Sequence, residues 1–172
     1  GTITFENGNC IKIFPDIPLA LSSAAISKIE IFEIADNKIM TVENLTSFNR
    51  IKKTNTFFIF LSGYHNSAKQ IFLKKIFNQN SNKEYYHFGD IDPDGFLILD
   101  NLRSKTQIDF KAYKMGIAEL QKYSSYTKPL EKNDLRKAES LITKGKYTEI
   151  LDYMLKRNLK LEQEIISWKE ES

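Results

Sequence analysis

Cysteine is nearly missing from this chain: Cys10 stands alone among 172 residues. An internal disulfide and any multi-cysteine zinc site are thereby excluded, and a reducing compartment is the simplest setting. No apolar run approaches the roughly 18 residues of a membrane span. No charged-then-apolar leader opens the chain, and neither an internal repeat nor a low-complexity segment interrupts it. A large excess of either charge is also missing. The net charge of +3 permits nucleic acid as a partner without requiring one. What remains is an ordinary soluble composition, 41% hydrophobic and 27% charged, of a length that suits one domain with a genuine core. The chain begins at Gly1 with no methionine, which points to a piece of a longer protein.

Read in order, Thr2 to Phe5 and Cys10 to Phe14 flank Glu6-Asn7-Gly8-Asn9, and Asn-Gly favours the tight turn of a β-hairpin. This hairpin reads as a peripheral ornament. Pro15 and Pro18 break the chain before a short helix over Leu19 to Ile26, and Ile29 to Ile34 is rich in β-formers. From Ile39 a buried strand runs to Val42 and delivers Glu43 at its end. Helical spacing over Asn44 to Lys53 comes next. Thr56 to Leu61 is a continuous apolar run of the kind needed by a strand covered on both faces. Then come an amphipathic helix from Ser67 to Asn78, a strand ending at Phe88, a helix through Leu97, Ile98 and Leu102, and a strand from Ile108 to Tyr113. Strand alternating with helix predicts a parallel sheet with right-handed crossovers. The last third is helical, over Ile117 to Tyr123, Asn133 to Ile142, Tyr147 to Leu155 and Leu159 to Trp168, with Gly145 as a stop between two of these.

The stretch that carries chemistry is Gly89-Asp90-Ile91-Asp92-Pro93-Asp94-Gly95. Three carboxylates at alternate positions come after a strand, and in an open α/β sheet the carboxyl ends of strands face the ligand site. Like charges so close repel one another unless a cation neutralises them, and hard oxygen donors favour Mg²⁺. Asp92 before Pro93 reads equally well as a helix N-cap. A calcium EF-hand loop fails because its twelfth position would be Asn101. An aspartyl-nucleophile phosphatase lacks its downstream lysine and acidic motif. In a parallel sheet Glu43 and Asp90, each just past a strand, reach the same rim. His65, in the loop after the second strand, and Lys69, Arg103 and other lysines on the flanking helices (Lys52, Lys53, Lys74, Lys75, Lys105) could meet DNA phosphates. A polar loop histidine and solvated lysines explain them as well.

Taken together, Val42-Glu43-Asn44, Gly63 before a helix, and the run from Gly89 to Gly95 resemble the Toprim domain of topoisomerases, primases and nucleases. Asp-x-Asp-Pro-x-Gly is similar to the A subunit of type IIB topoisomerases and its meiotic relatives. Gly-Asp-Ile-Asp-x-x-Gly-Phe is closer to the C-terminal domain of the nuclease subunit of the bacterial Wadjet anti-plasmid system. The likeness spans about Lys38 to Tyr113, and Leu161-Glu162-Gln163-Glu164 resembles an acidic motif near that family's C-terminus. It implies an α/β, Toprim-like fold, with a central, mainly parallel four-stranded sheet flanked by helices. Residues 1–37 would form the hairpin and connector, 38–114 the Toprim core, and 115–172 a helical extension of the same domain.

The resemblance further implies that Glu43, Asp90 and Asp92 are catalytic and bind Mg²⁺, with Mn²⁺ as a substitute. Asp94, Glu164 and, as its alternative, Glu162 are further candidate ligands. The implied activity is a metal-dependent DNA endonuclease of plasmid defence, cytoplasmic and not attached to a membrane. Its implied partners are double-stranded DNA, the N-terminal remainder of the same protein, SMC-like subunits and a second copy of itself. Alternatives are a non-catalytic metal- or DNA-binding docking module, a topoisomerase-type fragment, and primase-type nucleotidyl transfer. No winged-helix domain with an attacking tyrosine precedes the Toprim-like region here, which favours hydrolysis by water over covalent strand passage.

Overall fold

The computed structural model describes every residue except Asp16, Tyr64, His65, Glu171 and Ser172, together with the side chain of Glu170. Strand β1 (Thr2–Phe5) turns through Gly8, whose φ of +79° suits glycine, and returns as β2 (Cys10–Lys12) with Thr4 opposite Cys10. Helix α1 (Ser23–Ser27) starts where the Ser22 hydroxyl accepts from the Ala25 amide, and it leads into β3 (Ile29–Glu33). The expected helix over Leu19 to Ile26 is therefore shorter and later, because the serine cap fixes its start and Leu19 stays exposed with no face to bury. Strand β3 pairs antiparallel with β1, giving a three-stranded sheet in the order β2-β1-β3. The hairpin is accordingly no ornament. Ile3, opposite Phe32, is fully buried, and both belong to one apolar cluster with Ile39, Leu73 and Leu99.

The main sheet alternates with helices: β4 (Lys38–Val42), α2 (Leu45–Arg50), β5 (Thr56–Phe60), α3 (Ser67–Gln79), β6 (Glu84–Phe88), α4 (Pro93–Thr106) and β7 (Lys111–Ala112). All pairings within it are parallel, in the order β5-β4-β6-β7. The register aligns Val42 with Phe60 on one side and Phe88 on the other. The residues just past β4, β5 and β6 thus emerge at a common rim. Two expectations shift here. Strand β5 lies at the sheet edge, so Phe57, Phe58 and Phe60 are only half-buried rather than covered on both faces. Strand β7 pairs over two residues only, because Ile108 and Phe110 serve as buried side chains outside the ladder.

Helices α5 (Ile117–Lys122), α6 (Lys132–Thr143), α7 (Thr148–Arg157) and α8 (Gln163–Glu170) complete the described chain. Leu151 and Met154 on the apolar stripe of α7 are buried with Leu141 of α6 and Phe96 of α4, and α8 packs against α2. The final helix does not begin at Leu159 as its spacing predicts. Residues 159–162 run extended instead: Leu161 and Ile91 exchange both backbone hydrogen bonds, at 2.8 and 3.0 Å, and Lys160 does the same with Lys128, at 2.8 and 2.9 Å. The architecture is α/β, a four-stranded parallel sheet flanked by helices with an antiparallel three-stranded sheet near the N-terminus. Among the described residues no helix is long and apolar enough to cross a membrane.

Candidate functional site

Glu43 is the first residue beyond β4, and its backbone amide donates to the Phe88 carbonyl at 3.1 Å, so it sits against the end of β6. Asp90 lies two residues past that same strand end. Between them a Cβ at Gly89 would lie 2.7 Å from Glu43 Oε2 and 2.9 Å from His87 Nε2, so any side chain there would push these two groups aside. Asp92 caps α4, its Oδ1 accepting from the Gly95 amide at 2.7 Å, with Pro93 in the first turn as its sequence foretells. A Cβ at Gly95 would lie 2.3 Å from the Asp90 carbonyl oxygen, so only glycine lets the helix start press against the preceding loop. Both glycines of the motif are thus explained by close approach.

The C-terminal segment closes the rim. Gln163, fully buried, donates through its side chain to the Phe88 carbonyl at 3.0 Å and accepts from the Asn44 amide at 3.1 Å. Its backbone amide, at the start of α8, donates to Asp90 Oδ1 at 2.7 Å. Asn44 caps α2 with its carbonyl oxygen and gives its Nδ2 to Glu164 Oε1 at 2.9 Å. One short segment therefore ties the ends of β4 and β6 together. Beneath Glu43, His87 is buried in β6, with Nδ1 2.9 Å from Thr41 Oγ1 and Nε2 4.0 Å from Glu43 Oε2.

These carboxylates resist ionising. Burial, reinforced by the charges of Asp90, Asp92 and Asp94, pushes the Glu43 carboxyl up to about 8. Burial raises Asp90 to about 6, with Asp92, Glu162 and Glu164 adding to the rise against the pull of the Gln163 amide. Asp92 is raised too, chiefly by burial. Glu43 Oε2 is buried and, among the described residues, meets no hydrogen-bond partner. An orphaned carboxylate oxygen beside two more crowded acids is the signature of a place where positive charge would be stabilising.

A divalent ion suits this donor set in its chemistry, since each acid offers hard oxygen and each is held back from ionising by burial first and by its neighbours second. The acids are not arranged as a finished cage. No group of three or more His, Cys, Asp and Glu side chains among the described residues is placed to hold a metal ion. Asp90 and Asp92 each commit one oxygen to a backbone amide.

The remaining residues singled out in the sequence are distributed unevenly. Asp94 accepts from Lys137 Nζ at 2.7 Å at the mouth of the site. Glu164 and Glu162 both lie close enough to Asp90 to raise its carboxyl, but Glu162 is engaged by Lys128. Lys69 folds its ammonium onto the Leu61 carbonyl at the rim beyond β5. Arg103 sits near the far end of α4, donating to the Phe110 carbonyl at 2.7 Å and to the Tyr147 hydroxyl at 2.9 Å, away from the acids. Lys75 is likewise engaged, with the carbonyls of Ile26, Ser27 and Ile29. His65 lies outside the described residues. Reading the sequence missed Gln163 and Asn44. The signal available was an uncharged polar residue embedded in each acidic motif.

Wadjet protein JetD of Bacillus cereus (strain Q1) is 29% identical, the match covering 85% of this chain and 37% of that protein. The chain therefore spans little more than a third of the length of that relative. Residues 11–172, which include the carboxylates and the clasp of α8, match the family described as Wadjet protein JetD, C-terminal, and the chain belongs to that family.

Proposed function

We propose that this chain is the catalytic domain of a plasmid-defence nuclease and hydrolyses DNA phosphodiester bonds with a divalent ion, Mg²⁺ or Mn²⁺, held by Glu43, Asp90 and Asp92. One observation carries the reading: acids from two different strands share a single buried rim, where one carboxylate oxygen meets no hydrogen-bond partner among the described residues. Toprim-like chemistry needs such a rim. When bound, the ion would neutralise the phosphoryl oxygens and lower the pKa of a water.

The chain's own residues do the rest. Asp90 is oriented by the Gln163 amide and Asp92 by its cap, each through a single oxygen. Glu43, whose carboxyl titrates near neutral pH, can hold a proton for the departing oxygen or take one from the attacking water. Asp94, Glu164 and Glu162 add negative charge around the rim and are reserve ligands. In the cytoplasm the domain would work within a longer protein, alongside SMC-like subunits and on double-stranded DNA.

The test is cleavage of supercoiled plasmid with Mg²⁺ or Mn²⁺. Asp90→Asn and Glu43→Gln are each expected to lower the rate by at least about 10²-fold. If wild-type protein and both variants nick plasmid equally, the activity lies elsewhere. A docking module without catalysis is the second reading, favoured by the unfinished coordination geometry. It predicts DNA binding with no cleavage under any divalent ion.

A further inference from the structure

Trp168 on α8 is the only tryptophan in the chain, and it is 46% exposed. Tyr126, in the short 3₁₀ turn Ser124–Tyr126, is 38% exposed and meets it edge to face, with ring centroids 6.4 Å apart. The Lys169 ammonium lies 4.4 Å from the Trp168 ring centre and 4.8 Å from that of Tyr126. Large rings left in water beside a cation mark a surface built for contact.

Charge selects the kind of partner. Lys53 stands 4.4 Å over the Tyr113 ring and Lys114 5.5 Å from its centre, while Lys122 stands over Tyr123, one turn before Tyr126. These ammonium groups crowd one another: burial, then Lys53 and Lys122, pull the Lys114 pKa down, and Glu119 is the acid that opposes them. Tyr113 is half-buried and Tyr123 buried, so these rings seat the lysines while Tyr126 and Trp168 are the exposed faces. Exposed rings flanked by lysines are the pattern of single-stranded nucleic-acid binding, where rings stack on bases and cations track phosphates. The position also fits, because α8 begins at the Asp90 carboxylate. Trp168 is five residues further on, ~7.5 Å along the axis, or about two stacked nucleotides.

We propose that Trp168 and Tyr126, with Lys169, form a stacking platform for an unpaired nucleotide, and that Lys53, Lys114 and Lys122 hold the phosphates of the same strand. The platform rests on the nucleic-acid reading above and would seat the strand that is separated beside the carboxylates.

The lone tryptophan makes the platform observable. Its emission is monitored while a twelve-nucleotide oligothymidylate is added to the whole chain in low salt with EDTA. Saturable quenching is expected, weaker with a blunt duplex. Tyr126→Ala should weaken affinity about tenfold, within the range of one base stack. Lys114→Gln or Lys122→Gln should lower the slope of log affinity against log salt by about 0.7 for each phosphate left without its lysine. Equal quenching by the blunt duplex would overturn base stacking, as would no quenching by either DNA. Quenching by polyglutamate at similar affinity would assign the surface to an acidic protein instead. Because no cleavage is measured, failure here removes the platform and leaves the nuclease reading standing. Asp90→Asn that still binds oligothymidylate while losing cleavage separates the two in the other direction.

Discussion

Glu43 is a carboxyl group placed where its charge is least welcome, and that placement sets its pH behaviour. Its folded pKa, about 8, exceeds the ordinary 4.5 of the unfolded chain, so between these limits the folded state binds the extra proton. Stability is then complete below about 4.5 and declines as pH rises through 8. Glu43→Gln, which keeps shape without charge, should raise the melting temperature at pH 9 by about 5 °C or more and leave it unchanged at pH 4; thermal melts across that range check it. Gly89 gives a second expectation. Its missing Cβ is what lets Glu43 Oε2 and His87 approach, so Gly89→Ala should cost about 1 to 3 kcal/mol in denaturant titrations and displace Glu43 from Asp90. The strand-end acids were visible in the sequence because charge clustered after an apolar run has few explanations. Gln163 was not, since a neutral side chain declares its role only through the two groups it bonds, and these lie in distant parts of the chain.

Among elements, α8 behaves as a clasp rather than an appendage. Its start binds β4 through Asn44 and β6 through Phe88, and Ser167 meets Ser47 of α2 at 3.0 Å. Gln163→Ala would leave the half-buried Asn44 amide without its partner and strip the Phe88 carbonyl of one of its two donors, a loss of about 2 kcal/mol. Hydrogen exchange should then show faster opening of α8 while α4 and the central strands stay protected. Helical spacing announced α8 correctly but put its start at Leu159, because periodicity cannot see that Leu161 completes a backbone bridge to Ile91. The same blindness applied at the other end. The hairpin turn was readable from Asn7-Gly8, yet only the pairing of β1 with β3 reveals that Ile3 belongs to the main core. The parallel alternation, by contrast, was legible throughout, since apolar strands and amphipathic helices differ in period.

For the whole molecule, the carboxylate rim predicts a linkage between ions and stability. Burial of the Glu43, Asp90 and Asp92 carboxylates, with their mutual repulsion added, opposes folding until positive charge arrives, so Mg²⁺ or Mn²⁺ should raise the melting temperature and EDTA should reverse it. At a hundredfold excess over Kd the gain is about 2.7 kcal/mol. Scanning calorimetry on wild type and Asp90→Asn checks this, the variant losing most of the gain. A wild-type melt indifferent to both ions would argue against the acids as ligands.

The bridge between Ile91 and Leu161 also governs how the protein is made. During synthesis the acids of β4 and β6 leave the ribosome long before residues 159–163, and domains fold as their chain emerges. Until those late residues arrive, Asp90 lacks the Gln163 amide that orients it. A nascent chain would thus carry Asp90 unaligned until residues 159–163 have been made.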